Sequence, residues 1–280
     1  MLKKIRDLTH QHAIPAALIF FAVFDLFLLG LGQLLSLLPE ALPYQYLCEA
    51  ILVLLPITCV FLFGFSSTFR KGSLLRGLLY GLPFIAFQLI SLLVFLAGNL
   101  ENPELNRKPW PLIVYGLISI LGVGIREECI YRATIQNIIA KKHANSVKGI
   151  WITVIIAALI FGLTHASNLL FGMDPIAVLT QMISAFAIGL LFGAIYLRSG
   201  SIWAAILIHT LTDVSGLAAS TFLYVGDIEN MNQLSWRWEK LIVWLVYIAF
   251  TAFLLRPSKC KQITESFCFA GEASETAERA

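Results

Sequence analysis

The sequence predicts an all-α polytopic membrane protein of about eight transmembrane helices, with both termini cytoplasmic. Three observations predict it. Of 280 residues, 58% are hydrophobic and only 13% charged, and the mean hydropathy is +0.80. A soluble domain carries about a quarter charged residues, so this chain cannot cover a surface that faces water. Apolar runs long enough to cross ~30 Å of hydrocarbon recur along the chain, and the basic residues alternate between the connections that join them. The net charge of +3, from 20 basic and 17 acidic residues, is too balanced for a polyanion binder, so nucleic acid is excluded as a partner. The lipid bilayer is the first partner implied.

The runs fall at residues 13–38, 44–65, 77–97, 111–140, 149–171, 174–197, 202–225 and 238–255. The first follows Lys3, Lys4 and Arg6, as a signal peptide would. Its apolar stretch is too long for one and lacks a small-x-small cleavage site, so it is expected to be retained. Residues 102–111, rich in proline, form an extracytoplasmic loop. Asp174-Pro175 is an N-cap followed by proline at the first helical position. Ser199-Gly200-Ser201 is a tight turn between the sixth and seventh runs. Residues 1–256 thus form a single transmembrane domain, and 257–280 a polar, acidic-leaning tail expected to be disordered in the cytoplasm. Cys48, Cys59, Cys129, Cys260 and Cys268 show neither CxxC spacing nor a paired framework and read as free thiols.

Orientation follows the basic residues. The termini and even-numbered connections hold Lys3, Lys4, Arg6, Arg70, Lys71, Arg76, Lys141, Lys142, Lys148, Arg198, Arg256, Lys259, Lys261 and Arg279, fourteen of the 20. The odd-numbered connections hold four: Arg107, Lys108, Arg237 and Lys240. An error of one helix would destroy that alternation.

An ionisable side chain inside a span costs at least ~2.5–3.5 kcal/mol on insertion scales, so each is a site hypothesis. Asp25 and Glu49 are isolated and read as structural, one hydrogen-bonded and the other interfacial. The fourth run is different. Arg126-Glu127-Glu128-Cys129-Ile130-Tyr131-Arg132 places four charges within seven residues. Glu128 and Arg132, four apart, share a helix face and can pair; Glu127 lies about 100° around the helix and lacks that partner. The fifth run carries His165. The seventh carries His209 and Asp213, again four apart, readable as a structural hydrogen bond, a metal site or half of a catalytic site.

Depth links the three. Glu127 lies 17 residues before the cytoplasmic turn at Ala144-Asn145 and His165 lies 20 after it. At ~1.5 Å per residue their depths differ by about one helical turn or less, so the two can face one another. His209 stands 9 residues past Gly200, so the three meet only if the hairpin projects into the cytoplasm. A carboxylate and histidines around one point suit activation of water, the carboxylate taking a proton and other polar groups stabilising an oxyanion. His165, His209 and Glu127 would equally suit one divalent ion such as zinc. The cofactor is therefore none or one such metal.

Glu127-Glu128-x-x-x-Arg132, Phe161-x-x-x-His165 and His209-x-x-x-Asp213, with the stretch from Gly193 to Trp203, resemble the motif series of the CPBP family of intramembrane proteases. That family includes CAAX prenyl endopeptidases and bacterial bacteriocin-processing or self-immunity proteins. The resemblance covers residues 111–216 and implies a protease core there. It implies that Glu127 is the general base, that His165 helps to hold the water, and that His209 and Asp213 stabilise the oxyanion. Glu128 and Arg132 match the rest of the first motif and read as an internal structural pair. The family has been described both as metalloproteases and as metal-independent glutamate proteases. Tyr131 replaces the usual phenylalanine, Ala133 a common glycine, and Asp213 the asparagine of prenyl endopeptidases. An ionised aspartate cannot donate to an oxyanion, so Asp213 must be protonated, orient His209 or bind a metal.

The resemblance thus implies an endopeptidase acting on a peptide or membrane-protein substrate, in a bacterial cell membrane if it follows the short eight-helix members. A non-catalytic membrane immunity or scaffold protein is the alternative, and it would have no reason to carry the insertion costs of Glu127, His165 and His209. A proton-coupled transporter using Glu127, Glu128 and Asp25 would call for repeated broken helices in two halves, which the sequence lacks.

Overall fold

The computed structural model describes residues 7–9, 11–99, 107–223 and 236–264. Apart from an isolated bridge between Arg107 and Leu223, their regular structure is helical. The chain is an all-α polytopic membrane protein. Helix α1 spans Ala13–Leu35, α2 Leu42–Leu62 and α3 Leu74–Asn99. Helix α4, Trp110–Glu128, runs through a π-helical segment, Cys129–Gln136, into α5, Asn137–His143. Helix α6, Val147–Thr164, tightens into a 3-10 segment, His165–Phe171. Then come α7, Pro175–Ser199, α8, Ile202–Gly216, the single turn α9, Ala218–Phe222, and α10, Glu239–Leu254.

Local chemistry sets the ends. Asp174 Oδ1 accepts the Ala177 amide at 2.9 Å with Pro175 opening α7, as the sequence suggests. Gly200 closes α7 at φ +67°, a conformation that favours glycine, and Ser201 accepts the Ala204 amide to start α8. Ser146 caps α6 through the Gly149 amide.

Among the described residues, five helical stretches are long and apolar enough to cross a membrane: α1, α2, α3, α6 with its 3-10 extension, and α7. A sixth qualifies if α10 and a following helix over Pro257–Thr264, bent by 59°, count as one span. Helix α8, at 15 residues, is short for ~30 Å of hydrocarbon. About half of α6 and α7 is buried against 11–17% of α1, α2 and α3, so the first pair is the centre and the others face lipid.

The helix over Pro257–Thr264 corrects the disordered tail expected from residue 257. Cys260 and Ile263, three apart on one face, are buried against the cluster that includes Leu254 and Leu255. A polar average concealed this short amphipathic turn; residues 265–280 lie outside the described ones. Cys48, Cys59, Cys129 and Cys260 are free thiols, and Cys268 lies outside the described residues.

Close packing at the centre depends on absent side chains. A Cβ on Gly162 of α6 would stand 2.8 Å from the Met182 carbonyl oxygen of α7. One on Gly193 would stand 2.8 Å from Gln136 Oε1. These glycines let the π-helical segment and α6 press against α7, which brings the motif residues onto common ground.

Candidate active site

The π-helical segment begins one residue after Glu128 and is buried throughout. An extra residue per turn changes which side chains face which neighbour, a feature frequent at functional sites. Here it turns Arg132 and Gln136 onto α7, where Arg132 Nη2 donates to the Gly189 carbonyl at 3.4 Å and Gln136 Nε2 to the Gly193 carbonyl at 3.0 Å. Two buried donors one turn apart thus meet two glycine carbonyls one turn apart. The Arg132 guanidinium also lies 4.6 Å from the centroid of the Phe161 ring and 5.4 Å from that of Phe192. A buried cation is thereby supplied with acceptors and aromatic faces.

Glu128 and Arg132 form the expected i, i+4 pair, with Nη1 and Oε1 2.9 Å apart and both residues almost fully buried. The pair is not self-contained. Glu128 Oε1 also lies 2.8 Å from His209 Nδ1. Facing a carboxylate, Nδ1 is the donor. Glu128 therefore ties α4 to α8 and sets the direction of the His209 ring, a role the sequence reading missed.

On the other edge of the ring, His209 Nε2 stands 3.5 Å from both Glu127 Oε2 and Asp213 Oδ2. Three carboxyl groups, from two helices, thus surround one imidazole that is 4% exposed. Carboxylates at both nitrogens suit a doubly protonated ring, in which both nitrogens donate. The two 3.5 Å separations are long for hydrogen bonds, as active-site contacts often are before substrate binds. Glu127 and Asp213 keep 21% and 26% of their side chains exposed, so the cluster is reachable on that edge alone. Phe192 and Phe161 wall the ring at centroid distances of 5.0 and 5.9 Å.

His165 opens the 3-10 segment, half-buried, with Nδ1 3.2 Å from the Phe161 carbonyl oxygen. A carbonyl only accepts, so Nδ1 carries the proton and Nε2 keeps its lone pair in the neutral ring. Among the described residues, His165 makes no hydrogen bond or ion pair with Glu127. Instead the Phe161 ring, 5.6 Å from His165 and 5.9 Å from His209, stands beside both imidazoles. The Glu127, His165 and His209 metal set is likewise not assembled. Among the described residues no group of three or more His, Cys, Asp or Glu side chains is placed to hold a metal ion. The residues as placed do not fit zinc, whose ligands must converge on a point ~2.0–2.2 Å from each.

Asp25 and Glu49, read as isolated, both have partners. Asp25 accepts the Thr164 hydroxyl at 2.9 Å. Glu49 accepts the Ser119 hydroxyl, and its Oε2 lies 4.0 Å from Arg126 Nη1.

Comparison with known families gives a match over the site. Residues 109–215 match the model of the family described as type II CAAX prenyl endopeptidase Rce1-like. The matched region starts at α4 and ends one residue before the end of α8, so it holds all six motif residues. The match supports the resemblance to CPBP-family intramembrane proteases and indicates a protease. Comparison with curated proteins and with solved structures gives no match.

Proposed function

From an Rce1-like protease region set in an all-helical membrane protein, we propose that this chain is an intramembrane endopeptidase that hydrolyses a peptide bond with water activated by Glu127. The observation that carries the reading is the His209 imidazole, held on one edge by Glu128 and faced on the other by Glu127 and Asp213. In this reading Glu127 takes a proton from water as hydroxide attacks the scissile carbonyl carbon. The Nε2 lone pair of His165 accepts the second hydrogen of the same water and orients it. The His209 Nε2–H donates to the oxyanion, and Glu128, neutralised by Arg132, keeps the ring aimed. Collapse of the tetrahedral intermediate expels the amine, which takes its proton from Glu127. Asp213, beside the same Nε2, orients His209 rather than donating.

The protein would cross the membrane eight times with both termini cytoplasmic, as the basic residues indicate. Its substrate would be a peptide or a membrane protein that reaches the partly exposed edge of Glu127 and Asp213. The test is cleavage by purified protein in proteoliposomes offered a library of amphipathic and membrane-spanning peptides, read by mass spectrometry. New peptide termini are expected. Wild-type protein, folded in the bilayer, that cleaves no member of the library would leave the immunity or scaffold reading in possession.

A further inference from the structure

Helix α1 lies wholly before the matched region, and of its residues only Ala13, Ala17 and Phe24 are buried. Those apolar contacts attach it to the protein. Asp25 adds something different. Thr164 Oγ1 donates to Asp25 Oδ1 at 2.9 Å. A threonine inside an apolar helix ordinarily turns its hydroxyl back onto its own backbone. Thr58, Thr153, Thr180, Thr212 and Thr251 each do so, to the carbonyl four residues earlier, at 2.7–2.9 Å. Thr164 departs from that pattern and reaches across to a carboxylate on another helix.

Its position gives the departure a consequence. Thr164 is the last residue of α6 and His165 the first of the 3-10 segment. The Thr164 carbonyl accepts the Ser167 hydroxyl at 2.8 Å, so both ends of this residue are held as the helix changes pitch. The His165 ring hangs from that junction, steadied by the Phe161 carbonyl. Tyr131, buried in the π-helical segment, packs its ring against Phe161 at 4.9 Å between centroids. A polar link thus runs from α1 to the junction that carries His165.

We propose that Asp25 is a positioning residue for His165. By accepting the Thr164 hydroxyl it fixes where α6 gives way to the 3-10 segment, and so where His165 Nε2 points. Asp25 touches neither water nor substrate and acts through Thr164. The proposal rests on the endopeptidase reading for its kinetic part only.

The experiment compares full-length Asp25→Asn, Asp25→Ala, Thr164→Ser, Thr164→Val and the Asp25→Ala/Thr164→Val double variant on a peptide that the wild type cleaves. Asp25→Asn keeps an oxygen acceptor and Thr164→Ser keeps the hydroxyl, so both should stay close to wild type. Asp25→Ala and Thr164→Val should each lower kcat about 10–100-fold per folded molecule with KM unchanged, the scale of a small misplacement of a reacting group. The double variant should be no slower than either single one. The second readout needs no activity. In protein labelled with [15N]histidine, the ring resonances assigned through His165→Ala should move in Asp25→Ala and Thr164→Val and stay in Asp25→Asn. Unmoved His165 resonances in Asp25→Ala, or multiplicative effects of the two changes, would overturn the positioning role. Moved resonances in a protein that cleaves nothing would uphold it and count against the endopeptidase reading alone.

Discussion

Glu127→Gln is expected to lower kcat about 10²–10⁴-fold while the melting temperature of the solubilised protein stays at its wild-type value. Glutamine keeps the size of the side chain and most of its hydrogen bonding but cannot accept a proton, and loss of a general base costs about that factor. Glu127 is partly exposed, and the ion pair it makes is the long one to His209 at 3.5 Å. The fold therefore loses little when the charge goes. His165→Ala should fall by a similar factor, and the two changes together should cost little more than one, because groups that hold the same water act as a unit. Factors that multiply would show that the carboxylate and the imidazole serve different steps.

Arg132→Met is expected to produce the largest loss of stability, about 3–5 kcal/mol, because a carboxylate of 0% exposure loses its guanidinium partner and keeps its bond to His209 alone. The change also removes the donor to Gly189 and the cation between Phe161 and Phe192. Combining it with Glu128→Gln removes the charge that lost its guanidinium, so the double variant should regain much of the melting temperature and abundance. It should not regain cleavage. Glutamine keeps an acceptor oxygen for Nδ1–H but not the negative charge that favours the His209 imidazolium, the proposed donor to the oxyanion. A double variant no more stable than Arg132→Met would contradict the account of a charge pair. One that cleaves like the wild type would contradict the role given to Glu128.

These two substitutions separate what the sequence could convey from what it could not. Hydrocarbon penalises charge, so Glu127, Glu128, Arg132, His165, His209 and Asp213 stood out against their apolar runs, and helical spacing paired Glu128 with Arg132 and His209 with Asp213. The link between Glu128 and His209 joins residues 81 positions apart, and no periodicity reports it. Once Arg132 accounted for Glu128, nothing in the pattern asked for a second partner. Depth along a hairpin likewise placed Glu127 and His165 at one level, but depth carries no information about azimuth. The π-helical segment changes azimuth just after Glu128, and the 3-10 segment does so at His165. Asp25 read as isolated because its partner, Thr164, is 139 residues away and is not ionisable. Chain ends obey the same logic: the spacing of Cys260 and Ile263 was visible, but only packing gives it meaning.

In the proposed reaction, water activated by Glu127 attacks the peptide bond directly. Cleavage of one susceptible peptide in H218O with hydroxylamine present, read by mass spectrometry, separates this from covalent catalysis. Direct attack places one 18O in each new carboxyl group, yields no hydroxamate, and leaves the rate insensitive to hydroxylamine. A peptide hydroxamate formed at the cleavage point would reveal an acyl-enzyme, and with it a nucleophile other than the water held by Glu127.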